Sequence, residues 1–179
     1  MSGHSKWSKV KHIKAVEDVK KGKAFSKMAK MIAIAAKKGG DPNMNPSLRL
    51  AIERARAVNM PKDKIDNAIK KATGQDKSAQ LEEITYEAYG PNGTPIIIET
   101  ITDNKNRTSS EIKHILSIYN SKLAETGGVK YMFNKQKDKW EAKYLTDITN
   151  ESLKNQLEKL FNALGEHEDV KEIYSNVNL

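Results

Sequence analysis

The spacing of hydrophobic positions changes once along this chain. Phe25, Met28, Ala29, Ile32 and Ala36 fall at i, i+3, i+4, i+7 and i+11, one face of a helix of 3.6 residues per turn. Gly39-Gly40 ends that helix, and Lys37 and Lys38 sit in its last turn, where cations suit the helix dipole. Asn45 is a natural N-cap for a second helix and Pro46 its first residue, where the missing N–H costs nothing. Leu48, Ala51, Ile52 and Ala55 form its buried stripe. Pro61 opens a third helix, with Asp63 and Asp66 near its positive end, Ile65, Ala68, Ile69 and Ala72 facing inward, and Gly74 closing it. Each of the three is short enough to be marginal alone, so residues 24–74 are expected to pack into one helical unit. The polar stretch Gly74–Gln80 reads as a linker.

Beyond it the period becomes two. Ile84, Tyr86 and Ala88 alternate with Thr85, Glu87 and Tyr89, so a strand is expected there with Glu87 on its solvent face. "YGPNGTP" is a turn. Pro95–Ile101 is apolar enough to be a central strand. Thr108 and Glu111 have the spacing of a capping box, and Ile112, Ile115, Leu116 and Tyr119 continue as a helical face. Val129, Tyr131 and Phe133 alternate as a third strand; Trp140, Ala142 and Tyr144 alternate as a candidate fourth. Leu153, Leu157, Leu160, Phe161 and Leu164 make an amphipathic helix ended by Gly165, and "VKEIYSNV" a last short strand. The expected fold is α+β: an N-terminal three-helix domain with a basic arm over residues 1–79, then an α+β sandwich with a mainly antiparallel sheet over residues 80–179, helices on one side.

Charge separates the same two halves. Residues 1–79 hold nineteen Lys and Arg against seven Asp and Glu, and residues 80–179 twelve against sixteen. A lysine-rich composition would have spread over both halves. A polyanionic partner for the first half only is the better account. Lys6, Lys9, Lys11, Lys14, Lys20, Lys21, Lys23, Lys27 and Lys30 are the candidate phosphate contacts. Trp7, set among them, either stacks on a base or anchors the arm to the helices, and His12 can stack or donate to a phosphate. Arg49, Arg54 and Arg56 are candidate bidentate contacts, although Arg49 and Glu53 also have the spacing of a helix ion pair. Lys105 and Arg107 are secondary candidates in a segment that reads equally well as a turn and cap.

Little points to catalysis, a metal or a cofactor. The chain has 179 residues and no cysteine, so neither a thiol nucleophile nor a thiolate zinc site is available, and the expected compartment is a reducing cytoplasm. His4, His12, His114 and His167 are scattered, and neither a Walker A loop nor G-x-G-x-x-G is present. "DNKNRTSSE" has the start of a calcium loop but puts Lys105 at the third position and no glycine at the sixth. The longest apolar run, Met31–Ala36, is far too short to span a bilayer, and the N-terminus lacks the apolar core of a signal peptide.

The segments "GHSKW", "KGKAFSKMAK", "GGDPNMNPSLRLAIERARAVNMPKDKIDNAIKKATG", "YEAYGPNGTPIIIET", "TDNKNRTSSEIKH" and "DVKEIYSN" together resemble the YebC/PmpR family of bacterial proteins, relatives of the mitochondrial translational activator of cytochrome oxidase subunit I. The resemblance implies a three-helix domain, an α+β domain and a third α+β domain inserted in the second. Residues 134–148 are too few to hold that insert, so this chain is expected to be a short form without it. Tyr119-Asn120 and Leu123-Ala124 stand where the family has glycine-containing pairs, so the turn there is expected to be remodelled. By resemblance the function is a non-enzymatic, DNA-binding transcriptional regulator, or alternatively a ribosome-associated translation factor that binds ribosomal RNA and relieves difficult nascent stretches. A protein-interaction module is a further alternative. In the first two readings the basic surface from Gly3 to Lys38 faces the nucleic acid.

Overall fold

In the computed structural model, the structure describes residues 18–74, 80–137 and 139–179. The proposed linker lies almost wholly outside them. The chain divides into two compact units. One comprises the described residues up to Glu83 together with Ile101–Asp103; the other comprises Ile84–Thr100 and Asn104–Leu179.

The helical unit contains α1 (Asp18–Ala36), α2 (Pro46–Ala57) and α3 (Lys62–Thr73). Its core is the face that the helical spacing selects: Met28, Ile32, Leu48, Ile52, Ala55 and Ile65 are all buried. α1 begins earlier than the apolar pattern suggests, so Lys20, Lys21 and Lys23 are helical rather than part of an arm. Lysine is a good helix former, and the single Gly22 costs only about 1 kcal/mol. Asn45 joins α1 to α2. Its amide donates to the carbonyls of Ala35 (2.8 Å) and Gly39 (2.7 Å), while its oxygen accepts from the Leu48 N–H (3.1 Å). The φ of 142° at Gly39 gives the chain the reversal that this staple requires.

The second unit is α+β. Its elements are β1 (Glu82–Tyr89), β2 (Pro95–Thr102), α4 (Lys105–Ile118), β3 (Lys122–Leu123), β4 (Phe133–Gln136), β5 (Lys139–Ala142), β6 (Thr146–Asp147), α5 (Glu151–Gly165), β7 (Val170–Ser175) and β8 (Val177–Asn178). The main sheet has the order β3-β1-β2-β7. β3 runs antiparallel to β1, and β7 antiparallel to β2 with Ile97 opposite Tyr174. β2 is buried at every position, as its apolar run suggests for a central strand. One sheet face carries α4 and α5 on Ala88, Ile96, Ile98 and Ile173. The β4–β5 hairpin covers the other, with Phe133 and Trp140 against Ile97 and Tyr174. Gly90 turns the chain between β1 and β2; an added Cβ would lie 2.8 Å from the Ile96 side chain. Among the described residues no helix is long and apolar enough to cross a membrane.

Three local readings are corrected. Asn104, not Thr108, caps α4: its side chain accepts from the Arg107 N–H at 3.1 Å. Thr108 is instead buried and donates to the Asp169 carboxylate at 2.6 Å. Val129–Phe133 is not a strand; Lys130–Met132 form a 3-10 turn and β4 starts at Phe133. The alternation is nevertheless real, since Val129 and Phe133 are buried and Tyr131 is exposed. The turn has a cause in the third correction. Glu87 is not on a solvent face but buried, and its carboxylate accepts from the N–H groups of Gly127, Val129 and Lys130, each at 2.8 Å.

Candidate nucleic-acid interface

Lys6, Trp7, Lys9, Lys11, His12 and Lys14 lie outside the described residues. The other candidates can be placed. Lys20, Lys21 and Lys23 are exposed and Lys30 is half-buried. Lys27 is 4% exposed, so little of it is open to a phosphate. Lys23, Lys30 and Lys37 are spaced by seven, so they stand in one line along α1, opposite the Met28–Ile32–Ala35 face. At a rise of 1.5 Å per residue, neighbours in the line are about 10 Å apart. Lys37 also donates to the Leu81 carbonyl at 2.9 Å.

The sequence reading missed α3. Its Lys62, Lys64, Lys70 and Lys71 are all exposed, and the excess of cations in residues 1–79 was the signal that could have found them. Between α1 and α3 runs a groove of about 380 Å³, floored by Phe25, Ala29, Met60 and Ala68 and edged by Lys64 and Lys71. The Lys64 ammonium lies 5.2 Å from the centre of the Phe25 ring. Arg49 and Arg56 are exposed on α2, seven residues apart with exposed Glu53 between them. These side chains can neutralise phosphates and fix register on a polyanion, which takes point charges on rigid helices.

The cations of the α+β unit are arranged differently. Lys105 is exposed in the first turn of α4. Arg107, however, is bound to the buried Asp169 carboxylate at 2.9 Å and lies 3.9 Å from Glu111. That pairing leaves less of its charge to offer a phosphate. His167 belongs to the same network: its Nε2 is 2.9 Å from Glu111, and its Nδ1 accepts the Asp169 N–H at 3.1 Å. Nδ1 is therefore the unprotonated nitrogen of the neutral ring, and Nε2 donates. Glu111, His167 and Asp169 could together face a cation, with ligand atoms all within 4.8 Å. Arg107 and Thr108 already engage Asp169 there, so the cluster acts as a tie between α4 and the segment before β7. Burial, and then the Asp169 charge, push the Tyr86 phenol above its ordinary pKa, against a smaller opposing bond from Ser109. For Glu87, burial alone would raise the pKa. The three backbone N–H bonds and the Lys130 ammonium at 3.5 Å outweigh it and hold the carboxyl below its ordinary value.

Comparison with known proteins agrees with this architecture. Residues 5–75 match the TACO1/YebC protein N-terminal domain, and residues 81–138 the TACO1/YebC second and third domain. A "Probable transcriptional regulatory protein" of Maridesulfovibrio salexigens is 55% identical over 136 residues, 76% of this chain and 55% of that protein. One of the same name from Dictyoglomus turgidum is 48% identical over 165 residues, 92% of this chain and 64% of that protein. The chain thus spans little more than half the length of such curated relatives. The crystal structure of a conserved hypothetical protein of Aquifex aeolicus superposes with a TM-score of 0.82 at 28% identity, covering 97% of both chains. The two domain matches in order, together with relatives at about half identity, establish that the chain belongs to the TACO1/YebC family.

Proposed function

We propose that this member of the TACO1/YebC family regulates gene expression by gripping a nucleic acid through its helical unit, with DNA in transcriptional control as the first target. The single observation that carries the reading is the array of exposed lysines on α1 and α3, on a half of the chain that holds nineteen cations against seven acids. The name shared by the relatives supports the regulatory role. In this reading residues 1–79 form the binding domain, with Lys20, Lys21, Lys23, Lys30 and Lys37 on phosphates and Arg49 and Arg56 as further contacts, while Lys105 of the α+β unit is a secondary candidate. Most of residues 80–179, without the family's inserted domain near 134–148, do not share this phosphate-binding role and position the basic unit or meet a partner of their own. No catalytic step is assigned.

One observation favours the second reading, binding to ribosomal RNA in translation. α1 contains no Arg, Asn or Gln. Those are the side chains that read base edges in the major groove; lysine holds phosphate without reading sequence. Cosedimentation with ribosomes and genome-wide DNA recovery from one lysate separate the two. Enrichment at discrete promoters with no ribosomal fraction is the outcome expected of the first reading. Ribosome association released by salt, with no DNA enrichment, replaces it with the second. Failure to bind either leaves the protein-interaction module.

A further inference from the structure

The α+β unit is acidic as a whole, yet its acidity is not uniform. Residues 130–145, "KYMFNKQKDKWEAKYL", carry five lysines against two acids, while the rest of residues 80–179 carries seven cations against fourteen acids. This basic island is the β4–β5 hairpin with its flanks. Two tyrosines stand at its base: Tyr131 is 62% exposed and Tyr144 82%. Phe133 is opposite Ala142 and the Lys143 N–H donates to the Met132 carbonyl at 3.0 Å, so Tyr131, in the 3-10 turn before β4, and Tyr144, just after β5, each follow the last bonded pair at the same end of the hairpin. Lys143 is exposed next to Tyr144, and Lys137 and Lys139 are exposed at the turn end of the hairpin.

The mounting is rigid. Phe133 and Trp140 sit in the core beneath the sheet, and the Trp140 indole N–H donates to the buried Glu99 carboxylate at 2.9 Å. On the Tyr131 side, Glu87 holds the turn through three N–H groups. Exposed rings on a fixed support lose little freedom on contact, which suits a stacking platform. Lys139–Leu145 lie beyond both family matches, and the proposed role of the helical unit makes no use of them.

We propose that this hairpin is a second nucleic-acid contact, one that takes an unpaired stretch of RNA, with Tyr131 and Tyr144 stacking on bases and the surrounding lysines on phosphates. Flat rings interleaved with cations match a chain in which bases alternate with phosphates. A duplex has both faces of its bases covered by neighbours, and an acidic peptide would use the lysines but not the rings. Unpaired, splayed bases are characteristic of RNA loops.

The test uses the full chain and a short labelled oligouridine, with duplex DNA as the second probe, both read by fluorescence anisotropy. Tyr131→Ala with Tyr144→Ala should weaken oligouridine binding about thirtyfold or more. Duplex affinity and melting temperature should stay unchanged, and the Tyr131→Phe, Tyr144→Phe protein should bind like the parent. Lys139→Glu with Lys143→Glu should weaken oligouridine binding and lower its salt dependence. Unchanged oligouridine affinity in the Tyr→Ala protein overturns the proposal, as does an equal loss for the duplex. Competition by polyglutamate as strong as by unlabelled oligouridine makes the hairpin a plain cation patch and also overturns it. A parent protein that binds duplex but not oligouridine sinks this inference alone; one that binds neither sinks the reading of the helical unit as well.

Discussion

Lys20, Lys23, Lys62, Lys70 and Lys71 of the helical unit are exposed, whereas Arg107, Lys130 and Lys171 of the α+β unit are each turned toward a carboxylate. Both regions are rich in charge, and they put it to different uses. In the helical unit the apolar stripe makes up most of the core, and lysines such as Lys20, Lys23, Lys62, Lys70 and Lys71 are exposed on its surface. In the α+β unit Glu87 and Asp169 are buried, and each fixes a segment that has no regular hydrogen-bond ladder of its own. The same residue types therefore carry opposite consequences. Removing a surface lysine should cost binding and spare the fold. Removing a buried acid should cost the fold first.

The largest effect is expected at Glu87. Glu87→Gln loses the charge that three N–H groups and Lys130 converge on, at a cost of about 1–3 kcal/mol at neutral pH. The pH dependence follows from the lowered pKa. The stabilisation is complete above the unfolded value near 4.3, and it is lost as pH falls through the lower folded value. Urea unfolding followed by Trp140 fluorescence at pH 7 and about pH 3 should show a gap between parent and variant that shrinks in acid; signals from Trp7 are removed by a Trp7→Phe background. Equal stability at pH 7 would erase the contrast between the two units.

Trp7 gives an effect of similar size in the other currency. If it stacks, Trp7→Ala weakens binding by about 1–3 kcal/mol at any salt and leaves the salt slope unchanged, because no counterion is released. If it anchors, the melting temperature of the helical unit falls instead. A protein with neither change contradicts both.

The smallest effect compares two helix caps. Asn45 is buried and makes three hydrogen bonds, two of them back to the α1 end. Asn150 is exposed and accepts from the Leu153 N–H. Asn45→Ala should cost about 2 kcal/mol and Asn150→Ala about 0.5 kcal/mol, read by hydrogen exchange at Leu48 and Leu153. Equal losses would show that the junction between α1 and α2 is not specially stapled.

The periods of three to four and of two placed every long element, because burial of one face decides them. Side-chain pairing over long separations was not legible. Glu87 looked like a solvent-facing position in an alternating strand, since the turn that covers it begins 40 residues later. Asp169 gave no sign that it would claim Thr108 and Arg107 across 61 and 62 residues. Lys27 was counted with its neighbours because charge counts carry no burial; it shares the side of α1 that carries Lys23 and Lys30, yet it is covered. α3 was overlooked as a lysine surface for the opposite reason. Its cations alternate with acids in the sequence, and only the folded helix shows them exposed beside α1.

The central claim is that the helical unit grips phosphate with surface charge that the fold does not need. The direct measurement is the salt dependence of duplex binding for the full chain and for Lys20→Ala, Lys23→Ala, Lys70→Ala, three exposed lysines, with thermal unfolding of both proteins. The account predicts unchanged melting and a plot of log affinity against log salt that is shallower by about 0.7–0.9 for each phosphate contact removed. An unchanged slope with unchanged melting would contradict it.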